Sequence, residues 1–229
     1  MSETPVDPRW PKLLSLSVHE FRTPLTVVAG YVRMLLKERA GPLNDQQRKL
    51  LEETEKSCAR LSVLLSEMSE LANLEGGTAP ISRESADLRG ILRTVVEHLP
   101  PLPDRDIAVT LQTGMGPATI QADAQRLTNA VTSVVSALRR ELVTSDQLFV
   151  REERVNHGIP AHRILIGDQE TLDAIEARAS ELPVFDEWRG GCGMALAVAR
   201  RVLNAHGARI WSAPDGRKAG AVIEIPVPA

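Results

Sequence analysis

The chain has 229 residues, room for one large domain or two small ones with real cores, and its 27 basic against 30 acidic side chains leave a net charge of −3. So balanced a chain has no global basic field for nucleic acid, and 3% aromatic content is too little for platforms that stack single strands. The two cysteines, Cys58 and Cys192, have neither zinc-site spacing nor the number for a disulfide scaffold, and no apolar run approaches the roughly 20 residues of a membrane helix, so a cytoplasmic setting is expected and no metal site.

Residues 1–11 hold three prolines and few apolar side chains, and are expected to be a loose lead without a signal-peptide core. From Lys12 to Ala40, Leu14, Val18, Phe21, Leu25, Val28, Val32 and Leu35 recur at helical spacing. Gly41-Pro42 stops that helix. Asn44, with Gln47 three residues on, reads as a capping box opening a second helix to about Glu75, with Leu50, Leu51, Cys58, Leu61, Leu65, Met68 and Leu71 on one stripe. Gly76-Gly77 ends it. Two helices alone cannot enclose a core. A second copy closes a four-helix bundle, so the hairpin of residues 12–77 predicts a homodimer.

The pattern changes after Thr78. A short helix is expected over 86–99, a strand over 107–112 and an amphipathic helix over 122–142. Strands follow at 148–151 and 163–167, then helices at 169–182 and 193–206. Two closing strands, 209–212 and 221–226, form a hairpin around Asp215-Gly216. Interleaved strands and helices over 78–229 predict an α/β sandwich with helices on one sheet face. The fold class is therefore α+β: a helical hairpin in a dimeric bundle, then a sandwich domain, with a hinge near 75–86.

The chemistry concentrates on the first helix, in the segment SVHEFRTPL from Ser17 to Leu25. His19 and Thr23 share a helix face and Glu20 stands about 100° around from His19. Pro24 has no N–H for the Glu20 carbonyl, so a kink is expected just after His19. An imidazole is a competent nucleophile near neutral pH. A neighbouring carboxylate can fix its tautomer and accept its proton, and a hydroxyl one turn on can orient water. A lone histidine on an amphipathic helix is ordinarily a solvated or satisfied residue. Here His, Glu, Thr and Pro stand together on a helix expected to dimerise, a set suited to making and breaking a phospho-imidazole.

The string HEFRTPL resembles the phosphoacceptor box of sensor histidine kinases, and the resemblance runs over roughly residues 12–228. It implies that 12–77 is the dimerisation and phosphotransfer hairpin and 78–229 a sandwich of the ATP-binding type. It implies that His19 takes the phosphoryl group, that Glu20 is the base, and that Thr23 positions water for phosphatase activity. The aspartate of a response-regulator receiver domain is then the destination, and ATP with Mg²⁺ the family cofactors.

The nucleotide half departs from the family pattern. In the segment that resembles the asparagine box, DAQRLTNAVTSVVSAL, Asp123, Arg126 and Leu127 fit the opening, but the asparagine positions fall on Ser133 and Ala137. Alanine offers no oxygen to a hard cation such as Mg²⁺. Arg140 is a candidate phosphate contact, against the alternative of a solvated helix end. In ILIGDQETL, Asp168 stands where the family's adenine-reading aspartate belongs, while Glu170 and Leu172 occupy glycine positions. In GGCGMALA, Gly191, Gly193, Leu196 and Ala197 match the second glycine box, Ala195 replaces one glycine, and the lid that normally precedes it is almost absent. A glycine-rich entry to a helix can hold phosphate, and is as often only a turn. The resemblance therefore leaves two readings: a weak histidine autokinase and phosphatase, or a nucleotide-independent phosphotransferase or docking scaffold.

Overall fold

The computed structural model describes residues 9–157, 159–179, 181–188, 192–217 and 219–227. The chain divides into two compact units, Met1–Ala79 and Pro80–Ala229. The expected lead falls mostly outside the described residues.

The first unit is a pair of long helices, α1 (Trp10–Leu36) and α2 (Asp45–Glu75). Helix α1 runs unbroken through Pro24. It buries Leu14, Val18, Ala29 and Val32 against Cys58, Leu65 and Ala72 of α2. The capping box at the start of α2 is complete: the Gln47 N–H donates to Asn44 Oδ1 at 2.8 Å and the Asn44 N–H to Gln47 Oε1 at 3.0 Å. The α1–α2 turn needs a left-handed residue, and Gly41 supplies it with φ 118°. A second apolar stripe, Leu13, Phe21, Val28 and Tyr31, stays exposed along α1.

The second unit opens with β1 (Glu84–Asp87) and α3 (Leu88–Glu97), where the sequence reads as one helix from 86. The Asp87 side chain accepts from the Arg89 N–H and starts the helix later. There follow β2 (Ala108–Thr113), β3 (Thr119–Ala122), α4 (Ala124–Glu141), β4 (Gln147–His157) and β5 (Ile159–Gly167). Then come α5 (Gln169–Ala177), α6 (Ala195–Ala205), β6 (Arg209–Ser212) and β7 (Ala221–Pro226). Strand β3 pairs with β1 in a small antiparallel sheet of its own. The main sheet has the order β2-β4-β5-β7-β6, with only β2 and β4 parallel. Strands β4 and β5 are longer than the expected 148–151 and 163–167, because their outer halves alternate polar and apolar residues too weakly to read.

Leu148, Val150, Ile164, Ile166 and Ile223 point to one face of the sheet and are fully buried. Helices α3, α4 and α6 pack on one another and on strands of this sheet and cover that face. The expectation that the helices share one face fails for α5. Leu172 and Ile175 of α5 pack with Leu165, Ala213 and Val222, and with Phe149 and Trp211 at the margin. The register sets Leu165 opposite Val222 and Val222 opposite Trp211, so these side chains occupy the other face. Both of α5's core residues are sealed from water, each contributing about 2 kcal/mol to the seat.

Candidate functional site

In the first unit the helix presents the predicted set to solvent. His19 and Glu20 side chains are 77% and 73% exposed, with His19 Nδ1 3.5 Å from Glu20 Oε1. Glu20 thus stands at Nδ1, and Nε2 has no partner among the described residues. Ser17 and Thr26 spend their hydroxyls on the Leu13 and Arg22 carbonyls. Thr23, one turn beyond His19, makes no hydrogen bond among the described residues, so its hydroxyl is available to water. Pro24 leaves the Glu20 carbonyl without its helical donor. His19 lies about 160° around the helix from Phe21, so the nucleophile and the exposed apolar stripe face different ways.

In the second unit the predicted residues are dispersed or engaged. Asp168 ends β5 and caps α5, and is only 6% exposed. Its Oδ1 accepts from the Thr171 N–H at 2.9 Å and its Oδ2 from Thr144 Oγ1 at 2.6 Å. Burial pushes this carboxyl up, but the hydrogen bonds from Thr144 and Thr171 and the Arg217 charge outweigh it and hold it below the usual carboxylate range. Arg140 is exposed in the last turn of α4, four residues before Thr144. At the asparagine positions, Ala137 is buried and Ser133 donates to the Asn129 carbonyl at 3.0 Å. Gly193 takes φ 58°, a conformation that favours glycine, just before α6. Gly191 lies outside the described residues. Glu170, at a glycine position, pairs with Arg217 at 2.7 Å.

Two polar groups of this unit were not visible as partners in the sequence. Glu152 of β4 is 1% exposed and receives Arg89 Nε at 2.8 Å, His162 Nδ1 at 2.7 Å and the Gly114 N–H at 3.2 Å. Burial raises its pKa, and these hydrogen bonds with the Arg89 charge more than offset that, leaving it below the usual range. His206 accepts the Asp123 N–H at Nε2 and lies 2.7 Å from the Val202 carbonyl at Nδ1, which places its proton on Nδ1. Apart from the His206–Val202 contact, these pairings join residues ten or more apart in the chain. The only local hint is a charged or imidazole side chain inside an apolar strand or helix end.

Residues 12–77 match the His Kinase A (phospho-acceptor) domain. Over 214 residues the chain is 24% identical to the adaptive-response sensory kinase SasA of Synechococcus sp. (strain JA-2-3B'a(2-13)), covering 87% of this chain and 54% of that protein. It is 27% identical over 230 residues to the sensor protein VanSC of Enterococcus gallinarum, covering 95% of this chain and 61% of that one. The chain thus spans little more than half the length of these curated relatives. Among solved structures, full-length ShkA in complex with AMPPNP superposes with a TM-score of 0.68 at 23% identity, over 95% of this chain and 46% of that one.

Proposed function

We propose that this chain, which belongs to the sensor histidine kinase family, carries a phosphoryl group on His19 and exchanges it with the aspartate of a response-regulator receiver domain. The observation that supports this most is the exposed His19 with Glu20 at Nδ1 and an unengaged Thr23 hydroxyl one turn on. The Nε2 lone pair attacks phosphorus of the receiver's acyl phosphate. The N–P bond forms, the P–O bond to the aspartate breaks, and the carboxylate leaves with its electron pair. The ring's positive charge is relieved as the Nδ1 proton passes toward Glu20. Return to the aspartate reverses these steps. Thr23 orients the water that removes the phosphoryl group from the receiver. The exposed stripe of Leu13, Phe21, Val28 and Tyr31 supports a homodimer, since a monomeric hairpin would leave it in water.

The test is incubation with a phosphorylated receiver. Acid-labile label should appear on the wild type and not on His19→Gln. An unlabelled wild type refutes the proposal. A second reading, direct phosphorylation of His19 from ATP and Mg²⁺, is favoured by the fold shared with a structure solved with AMPPNP. Acid-labile label from γ-labelled ATP distinguishes it.

A further inference from the structure

The chain between β5 and α6 occupies the place where the family fold leads one to expect a nucleotide loop and lid. Its construction is different. Helix α5 starts directly at Asp168 and turns onto the sheet face opposite α4 and α6. Thr171 seats it. Gly167 and Gly220, at adjacent strand ends, leave a dimple on that face, and the Thr171 methyl fills it. A Cβ on Gly167 would come 2.8 Å from Thr171 Cγ2, and one on Gly220 would come 2.6 Å from Ala213 Cβ and overlap the same methyl. Thr171 and Leu172 are buried. Glu170–Arg217 and Arg178–Asp215 ion pairs tie both ends of α5 to the β6–β7 connection.

The segment after α5 is also fastened. Val184 bridges Trp211 along the sheet edge, the Ser212 N–H donates to the Pro183 carbonyl at 3.0 Å, and the Asp186 N–H to Ser212 Oγ at 3.2 Å. Phe185 is buried, and the buried Glu187 pairs with Arg200 at 3.3 Å and Arg201 at 3.0 Å. Asp168 has both oxygens engaged by Thr144 and Thr171, and of the two asparagine positions one holds the buried Ala137 and the other Ser133, whose hydroxyl donates to the Asn129 carbonyl. These residues do not fit a magnesium–nucleotide complex.

We infer that the described residues of the second unit form no nucleotide site, because the loop that would form one has become a helix docked on the outer face of the sheet with Thr171 as its peg. This goes beyond the loss of individual ligands. Restoring glycine at 170 and 172 would not restore binding, since the chain leaves β5 toward the wrong face. The inference stands apart from the role of His19.

The experiment titrates the full chain with ATP and Mg²⁺ by calorimetry, with amide exchange followed in parallel. The expected result is no saturable heat at millimolar nucleotide and no change in exchange across α5. Thr171→Ala should speed α5 exchange roughly tenfold by loosening the seat, again with no nucleotide binding. Glu170→Gly with Leu172→Gly should also fail to bind, and the milder Thr171→Ala keeps the test meaningful if that variant unfolds. Saturable ATP binding by the wild type, or no change in α5 exchange on Thr171→Ala, overturns the inference. His19 labelling from a phosphorylated receiver, measured on the same preparation, reports separately on the proposed function.

Discussion

At the scale of single residues, the proposed chemistry needs three side chains on one turn and a half of helix. Glu20→Gln should keep the fold and lower the rate of His19 phosphorylation about 10²-fold, the usual worth of a positioned base, measured by single-turnover transfer from a receiver. Thr23→Ala should leave transfer within about twofold and slow dephosphorylation of the receiver at least tenfold, because only the water-attack step uses its hydroxyl. Glu152 carries a different consequence. Its folded-state pKa lies below the unfolded value, so the folded chain binds fewer protons there. The stability it contributes is complete above the ordinary carboxylate range, about pH 5 and higher, and is lost as pH falls through the depressed folded value. Asp168 acts with the same sign. Glu152→Gln should cost about 2 kcal/mol at neutral pH by removing the charge partner of the half-buried Arg89 and the buried acceptor of His162. It should also flatten the acid limb of the stability profile, read by urea midpoints between neutral and acid pH.

At the scale of elements, local rules decide where helices start and tertiary packing decides where they lie. The Asn44 capping box is reciprocal, so Asn44→Ala should destabilise the first unit by about 1 kcal/mol in urea unfolding. Helix α5 is nine residues long, too short to persist alone, and depends on its seat. Leu172→Ala removes its most buried contact and should cost about 3 kcal/mol in the second unit. That it ends at Ala177 rather than near 182 follows from the same dependence: among the described residues between Ala177 and Leu182, only Leu182 packs against the apolar cluster, at its margin.

At the scale of the whole molecule, the proposed bundle requires two chains. Tyr31→Glu places a charge in the exposed α1 stripe without touching the residues buried between α1 and α2. It should convert a light-scattering mass of two chains to that of one at micromolar concentration, and a wild-type monomer would contradict the bundle. If the second unit takes no nucleotide, the phosphoryl group must come from a partner. The chain's direction of signalling is then set by which phosphorylated receiver it meets.

The hairpin and the His19 set were legible from residue order because they are local. The 3.6-residue period, the capping box and HEFRTPL all act within one or two helical turns, where spacing alone fixes which side chains share a face. The strands of the main sheet were also placed, β4 and β5 shorter than they are, while β1 and β3 of the small sheet were missed. Their partners were not. That Glu152 meets Arg89, that Thr144 reaches Asp168, and that the Thr171 methyl meets Gly220 each depend on segments brought together across long stretches of chain. The sheet face on which α5 lands is the sharpest case. Its amphipathic pattern demands an apolar surface but does not say which one, since both faces of the sheet offer one. Only the pairing register and the side-chain-free dimple at two strand ends decide between them.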